Sequence, residues 1–486
     1  MISCEQEKIV KNNYKRGTRK KTKIIFVLTN VNAYLSEAYS QGLAILMACA
    51  EQNGYHYDVQ TFNSYDDLND FFVLIEGTNP NVIAYTSVSS QFTHIKKIST
   101  IVKEKYKKDI IQVCGGVHTT LFPNSILDAE GLDGVFVGEG EYVFIDFLNC
   151  IEKGLSYKDV NNFSYRDNGS FITNQLNPLI TNLDDIPFAV RDKYNYKNKF
   201  LNLKRIGFPK CASFYFIRGC PYKCTYCSNH GIADRYNLNI LKQRHRSPGN
   251  CIQEIKTVMN AYDIDYVYIS DDTFGIDKKW THEFCELYAS QIKLPFQANI
   301  SVNVVTRELL TDLKNANCVT IGSNVESGND YIRNKVMKRN MSRDKIIKTF
   351  ELYKDFGFNY GISWILGVPQ ETEETIWETI KLNRILKPTN SRANIFYPYK
   401  GTVLGNYCFK ENLVDLEVFN NFSEERKDTV LKFEHDPGFK NKLLYYQKNF
   451  RLLSQRFGRI KTNIYNFSPK TYHKLMGLLK MTRLKG

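Results

Sequence analysis

Twice along this chain of 486 residues, short β-branched runs alternate with stretches of helical period, and that repetition limits the fold more than any other feature. A chain that passes through a helix between successive strands builds a parallel sheet with helices on its faces. The first series runs Lys23–Thr29 (KIIFVLT), a helix over Gly42–Gln52 closed by Asn53-Gly54, Tyr57–Thr61, Asn81–Tyr85 (NVIAY), a helix from about Phe92 to Lys107, Ile110–Cys114 (IIQVC) and Gly134–Val137 (GVFV). It predicts an α/β, doubly wound Rossmann-like domain over 23–160. Ligands of such sheets sit beyond the carboxyl ends of the strands, here the loops Asn30–Tyr34, Ser87–Gln91, Gly115–Thr120 and Gly138–Glu141. The second series has strands near Ser213–Ile217, Tyr266–Ser270, Phe296–Asn299, Thr320–Ser323 and Gly361–Leu366. It predicts a partial (β/α)6 TIM-like barrel over 208–400, with its chemistry at the strand ends. Between the two, 161–207 reads as a linker with a hairpin at Arg166-Asp167-Asn168-Gly169 and the polar stretch LDDIPFAVRD. A basic arm over 1–22 and a helical basic region over 401–486 complete the chain.

A hydrophobic content of 43% and an aromatic content of 13% suit a folded protein. There is no apolar run long enough to cross a bilayer, and the lysines and arginines before residue 22 flank no apolar core, so a cytoplasmic location is expected. Twelve cysteines, scattered apart from one tight group, point to reduced thiols and a metal site rather than a disulfide framework. The net charge of +14 is largely terminal: no Asp or Glu follows Asp436, while Lys440–Lys485 holds a dozen Lys and Arg. Such a tail can meet nucleic acid, an acidic peptide or an anionic surface. No nucleic-acid motif accompanies it, so a helical appendage with a solvated basic face is the preferred reading.

The tight group is RGCPYKCTYCSNH, in which Cys220, Cys224 and Cys227 follow a predicted strand as C-x-x-x-C-x-x-C. Three thiolates on one loop can bind three irons of a 4Fe–4S cluster and leave the fourth iron open. A zinc site is the alternative, and it needs a fourth ligand from Cys211, His230 or Cys251.

This triplet, with Tyr226 before its third cysteine, resembles the motif of the radical S-adenosylmethionine family. The resemblance implies that the open iron chelates S-adenosylmethionine and that reduction yields a 5′-deoxyadenosyl radical. Further segments match in family order. Asp271, Asp272 and Thr273 of YISDDTFGID stand where the family contacts the methionine amino group. Glu326 of GSNVESG stands at the ribose and amino-group position, and Ile365 and Gly367 of WILGVPQET stand beside adenine. Taken singly, the aspartates read as helix caps, Glu326 as one half of a surface pair and the GVPQET turn as an ordinary strand-to-helix connection. Together, in one order, they carry the resemblance over about Phe208 to Leu404.

The first domain resembles the cobalamin-binding domain that precedes the barrel in one branch of that family, the methylase and anaerobic cyclase branch. The matching residues are CGGVHTT, with Gly115, Gly116 and His118, and VGEGE, with Gly138, Glu139 and Gly140. Glycines let a loop approach a flat macrocycle, and Ser87, Ser89 and Ser90 can hydrogen-bond a nucleotide tail. The hexapeptide D-x-H-x-x-G that supplies a lower cobalt ligand is absent; His56, His94 and His118 all lack its context. The resemblance implies methylation of an unactivated carbon of a natural product, peptide or cofactor, with a cavity between the domains and an electron donor such as flavodoxin or ferredoxin. Oxidative cyclisation or ring rearrangement is the second reading, and a non-catalytic cobalamin or iron–sulfur sensor the third. Arg218, Asn324, Tyr397 and Tyr399 are candidate polar residues of the cavity, and the basic tail favours an acidic or peptide substrate.

Overall fold

The computed structural model describes residues 21–31, 33, 40–107, 110–194, 201–203, 208–420, 428–433, 436–455, 457–468, 471 and 475. Most of the basic N-terminal arm, most of the loop Asn30–Tyr34 and most of the tail beyond residue 468 lie outside these.

The first sheet has the order β2-β1-β3-β4-β5-β6-β7. β1 (Lys23–Thr29), β2 (His56–Phe62), β3 (Val82–Thr86), β4 (Ile111–Gly115) and β5 (Gly134–Phe136) are parallel. Because both faces are covered, β1 is apolar without a break from Ile24 to Leu28 rather than alternating. Ile24, Phe26 and Leu28 enter one core with the helices Gln41–Gln52 and Glu141–Lys153. Ile25 and Val27 enter the other, with Leu68–Thr78 and Phe92–Tyr106. The hairpin of β6 (Phe163–Asp167) and β7 (Ser170–Thr173), turned at Asn168-Gly169, joins this sheet antiparallel to β5.

In the second sheet β9 (Phe208–Phe214), β12 (Tyr266–Ile269), β13 (Phe296–Asn299), β14 (Cys318–Glu326), β15 (Asn359–Leu366) and β16 (Asn390–Ile395) run parallel in that order, and β8 (Leu201–Leu203) lies antiparallel on β9. The six parallel strands do not close, so this is an open half-barrel. Its helices start where side chains cap them: Ser247, Asp277, Thr306, Ser342 and Thr372 each accept a backbone N–H of the first turn. Helix Phe439–Leu453 packs against β16 and helix Glu373–Leu386, and its Leu443, Phe450 and Leu453 are buried in the barrel core. A short antiparallel ribbon, β10 (Ile217–Arg218) with β11 (Arg244–His245), stands ahead of the cysteine loop. No helix among the described residues is long and apolar enough to cross a membrane.

Candidate active site between two sheets

The cysteine loop begins directly after Arg218 and ends as Cys227 enters helix Ser228–Arg235. Each sulfur has a polar neighbour. The Arg339 guanidinium donates to Cys224 Sγ at 3.3 Å, the Thr273 hydroxyl lies 3.8 Å from Cys220 Sγ, and the Asn229 amide lies 4.0 Å from Cys227 Sγ. The loop is pinned at Thr225, whose N–H and hydroxyl donate to the carbonyls of Met337 and Val336. That segment is itself held by Arg333, fully buried and donating to the carbonyls of Ser327 and Met341 and to Asp330.

The supposed fourth zinc ligands are engaged elsewhere. Cys211 is buried in β9 and Cys251 in the barrel core, while His230 pairs with Asp234 across one helical turn. Among the described residues no three His, Cys, Asp or Glu side chains converge as they do on a single ion. A cluster spreads its thiolates over several irons, and three cysteines on one loop, each with a polar neighbour at its sulfur, fit that group.

The residues expected around S-adenosylmethionine fall on two sides of this loop. On one side the Tyr215 hydroxyl donates to Asp272 at 3.0 Å, Asp272 is exposed, and Thr273 lies beside Cys220. On the other, Tyr226 lies near the buried Glu326 carboxylate, which burial raises above the usual glutamate pKa against the pull of Arg339. Glu326 ends β14 at φ +72°, a strained conformation next to a register shift in the β14–β15 pairing. Tyr226 and Ile365 share an apolar cluster with Val336 and Val368.

Asp271 and Gly367 hold the frame. Asp271 Oδ1 accepts from the N–H of Phe216 (2.7 Å) and Ile217 (3.0 Å) and so fixes the start of the ribbon. Burial raises its pKa to about 8. Gly367 has φ +80° and donates to Glu371 at 2.5 Å; Glu371 is fully buried, and burial raises it to about 8 as well.

A cavity of about 390 Å³ opens at the carboxyl edge of the first sheet, and its far wall belongs to the barrel. Gly115, Gly116, Gly138, Glu139 and Gly140 line one side; Tyr215, Arg218, Asn229, Tyr236 and Arg244 line the other. Ser87, Ser89, Ser90 and His118 lie outside this lining. Ser87 donates to the Gly115 carbonyl, and His118 is buried against Phe92 (4.2 Å between ring centres) with Nδ1 on Ser89. Burial drives His118 down to about 3, so its ring is neutral, and it caps no helix.

The Glu139 carboxylate is fully occupied by Arg218, Arg244 and the Ile180 N–H. Arg218 also pairs with Glu141 at 2.5 Å. Of the other polar candidates, Asn324 gives its carbonyl to Arg339, and Tyr397 stacks on Phe419. Arg333, Thr225 and Arg339 carry no sequence signal; only the folded loop brings them to the cysteines.

The B12 binding domain model matches residues 28–148, and the radical SAM superfamily model matches 214–382. The chain is a radical SAM enzyme with an N-terminal B12-binding domain. The cofactors of that pairing are a 4Fe–4S cluster, S-adenosylmethionine and cobalamin. An uncharacterized methyltransferase of Pyrococcus horikoshii is 27% identical over 400 residues, covering 81% of this chain and 83% of its own. The anaerobic magnesium-protoporphyrin IX monomethyl ester cyclase of Rubrivivax gelatinosus is 25% identical over 351 residues, 70% of this chain and 60% of that protein. The solved structure of the cobalamin-dependent S-adenosylmethionine radical enzyme OxsB, with aqua-cobalamin and S-adenosylmethionine bound, shares the fold. Its TM-score is 0.67 at 15% identity, over 96% of this chain and 76% of that one.

Proposed function

We propose that this enzyme is a cobalamin-dependent radical methyltransferase acting on an unactivated carbon of a small-molecule or peptide substrate. The observation that carries the reading is a cavity walled on one side by the glycine loops of the first sheet and on the other by the ribbon and helix that flank the cysteine loop. When bound, the cluster and S-adenosylmethionine supply a 5′-deoxyadenosyl radical for hydrogen abstraction, and cobalamin supplies the methyl group.

In this reading Cys220, Cys224 and Cys227 hold the cluster, with Arg339 offsetting charge at Cys224. Asp272, Thr273, Glu326 and Tyr226 hold the amino acid and ribose of S-adenosylmethionine, with Ile365 against adenine. Asp271 and Gly367 shape the backbone around them. Gly115, Gly116, Gly138 and Gly140 admit the corrin, and Tyr215, which lines the cavity and donates to Asp272, stands between the two cofactor sites. No histidine is among the residues that line the cavity. An electron donor of the flavodoxin or ferredoxin class reduces the cluster. The free state of all eleven described cysteines supports a reducing compartment, the cytoplasm.

Anaerobically reconstituted protein given hydroxocobalamin, titanium(III) citrate and S-adenosylmethionine labelled as CD3 tests this reading. Labelled methylcobalamin with S-adenosylhomocysteine, and 5′-deoxyadenosine as a separate product, are expected. 5′-Deoxyadenosine with no transfer of label to cobalt would favour the ring-forming reading, which the 25% identical cyclase supports. Neither product from a correctly assembled cluster would overturn both and leave the sensor.

A further inference from the structure

Four charged side chains at the domain interface are not used by the proposed function. Glu139 Oε1 accepts from Arg218 Nη1 (3.0 Å) and Arg244 Nη2 (2.8 Å); its Oε2 accepts from Arg244 Nη1 (2.9 Å) and the Ile180 N–H (2.7 Å). Glu141 takes the second arm of Arg218. Arg218 and Arg244 are opposite each other in the β10–β11 ribbon, so two cations of the barrel side meet two carboxylates of the first domain. All four are largely buried, with side-chain exposures between 9% and 16%.

Removing four charges from water costs several kcal/mol for each ion, and their attraction roughly repays that only when the geometry is good. A cluster of this kind is therefore a poor device for stability. Its best-attested use is to fix one register between surfaces that apolar contact alone would let slide.

The register fixed here lies between two cofactor loops. Glu139 sits between Gly138 and Gly140, which line the cavity, and Arg218 is separated from Cys220 by Gly219 alone. Neither connector is slack. A Cβ on Gly138 would stand 1.9 Å from the Tyr236 hydroxyl, and one on Gly219 would stand 2.6 Å from the Lys242 carbonyl; both glycines have positive φ. One continuous route from the glycine loop to the first cluster cysteine runs Gly138, Glu139, Arg218, Gly219, Cys220.

We infer that Glu139, Glu141, Arg218 and Arg244 form a spacer that sets the distance between the cobalamin site and the cluster with its S-adenosylmethionine, making them positioning residues for methyl transfer from S-adenosylmethionine to cobalamin. The inference rests on the two-cofactor reading above.

Pulsed electron paramagnetic resonance of protein holding both cob(II)alamin and the reduced cluster reads that distance through their dipolar coupling. Wild-type protein is expected to give one narrow distribution, and Glu139→Gln and Arg244→Gln a shifted or broadened one. Two reactions should then separate. Transfer of CD3 from labelled S-adenosylmethionine to titanium(III)-reduced cobalamin is expected to fall about 100-fold, as a displacement of ~1 Å would cause. Reductive cleavage to 5′-deoxyadenosine, which needs only the cluster side, is expected to persist. Arg244→Lys, which keeps the charge and loses the fork, should fall between wild type and Arg244→Gln and serves if the glutamine variant does not fold. Unchanged distances and rates would overturn the inference. A parallel loss of both reactions would reduce the ions to a structural brace and overturn it equally. Wild-type protein that binds no cobalamin would overturn the two-cofactor reading itself, before any variant is made.

Discussion

Neighbouring glycines separate structure from function at the residue scale. A Cβ on Gly116, at φ +103°, would meet the Ser87 carbonyl oxygen at 2.6 Å, whereas one on Gly115 would find only Phe136 Cβ at 3.9 Å and otherwise enters the cavity. Gly116→Ala should therefore lower stability by about 1–3 kcal/mol, read as a loss in thermal midpoint. Gly115→Ala should melt like wild type and bind hydroxocobalamin more weakly, read from its visible absorption. Equal melting losses in the two variants would contradict that division. Cys224→Ala should fold and fail to retain the iron and sulfide of the reconstituted cluster. The cysteines and glycines were legible because their chemistry is local: a spacing, or a turn that tolerates no side chain. Arg339 and the carbonyls that pin Thr225 were not, because residues more than 110 positions apart make those contacts.

At the scale of elements, the strand-to-helix turn after β15 stores a buried acid. Glu371 is held near a pKa of about 8 by burial, against 4.5 when exposed, and its Oε1 has no hydrogen-bond partner. The folded state then binds a proton that the unfolded state has released between these values, so this group's contribution to stability falls as pH rises from about 4.5 to about 8. Glu371→Gln keeps the acceptor for Gly367 and does not titrate. Relative to this variant, the thermal midpoint of wild type should decline across that window, and parallel profiles would refute the assignment. Helix Phe439–Leu453 closes against the same turn: Leu443 is fully buried, and its Cδ2 lies 2.6 Å from where a Cβ on Gly367 would stand. Leu443→Ala should cost about 2–5 kcal/mol in chemical denaturation. β1 and β3 were legible from continuous apolar runs, as parallel strands buried on both faces are. β16 was not singled out, because NSRANI offers no such run and owes its place to pairing with β15.

For the whole molecule, the order of two α/β units was readable from the sequence, but their mutual placement was not. Periodicity describes how each element faces its own core and says nothing about which loops of one sheet oppose those of the other. The ribbon, the ions across it and Tyr215 settle that placement, and none has a periodic signature. The account's central claim is that cobalamin occupies the cavity between the two sheets and faces the cluster and S-adenosylmethionine across Tyr215. An anaerobic crystal structure of reconstituted protein with aquacobalamin and S-adenosylmethionine tests it most directly. The account predicts the corrin against Gly115, Gly138 and Gly140, with the cluster on Cys220, Cys224 and Cys227 across Tyr215. A corrin bound away from those glycines, or a single zinc ion on the three cysteines, would contradict it.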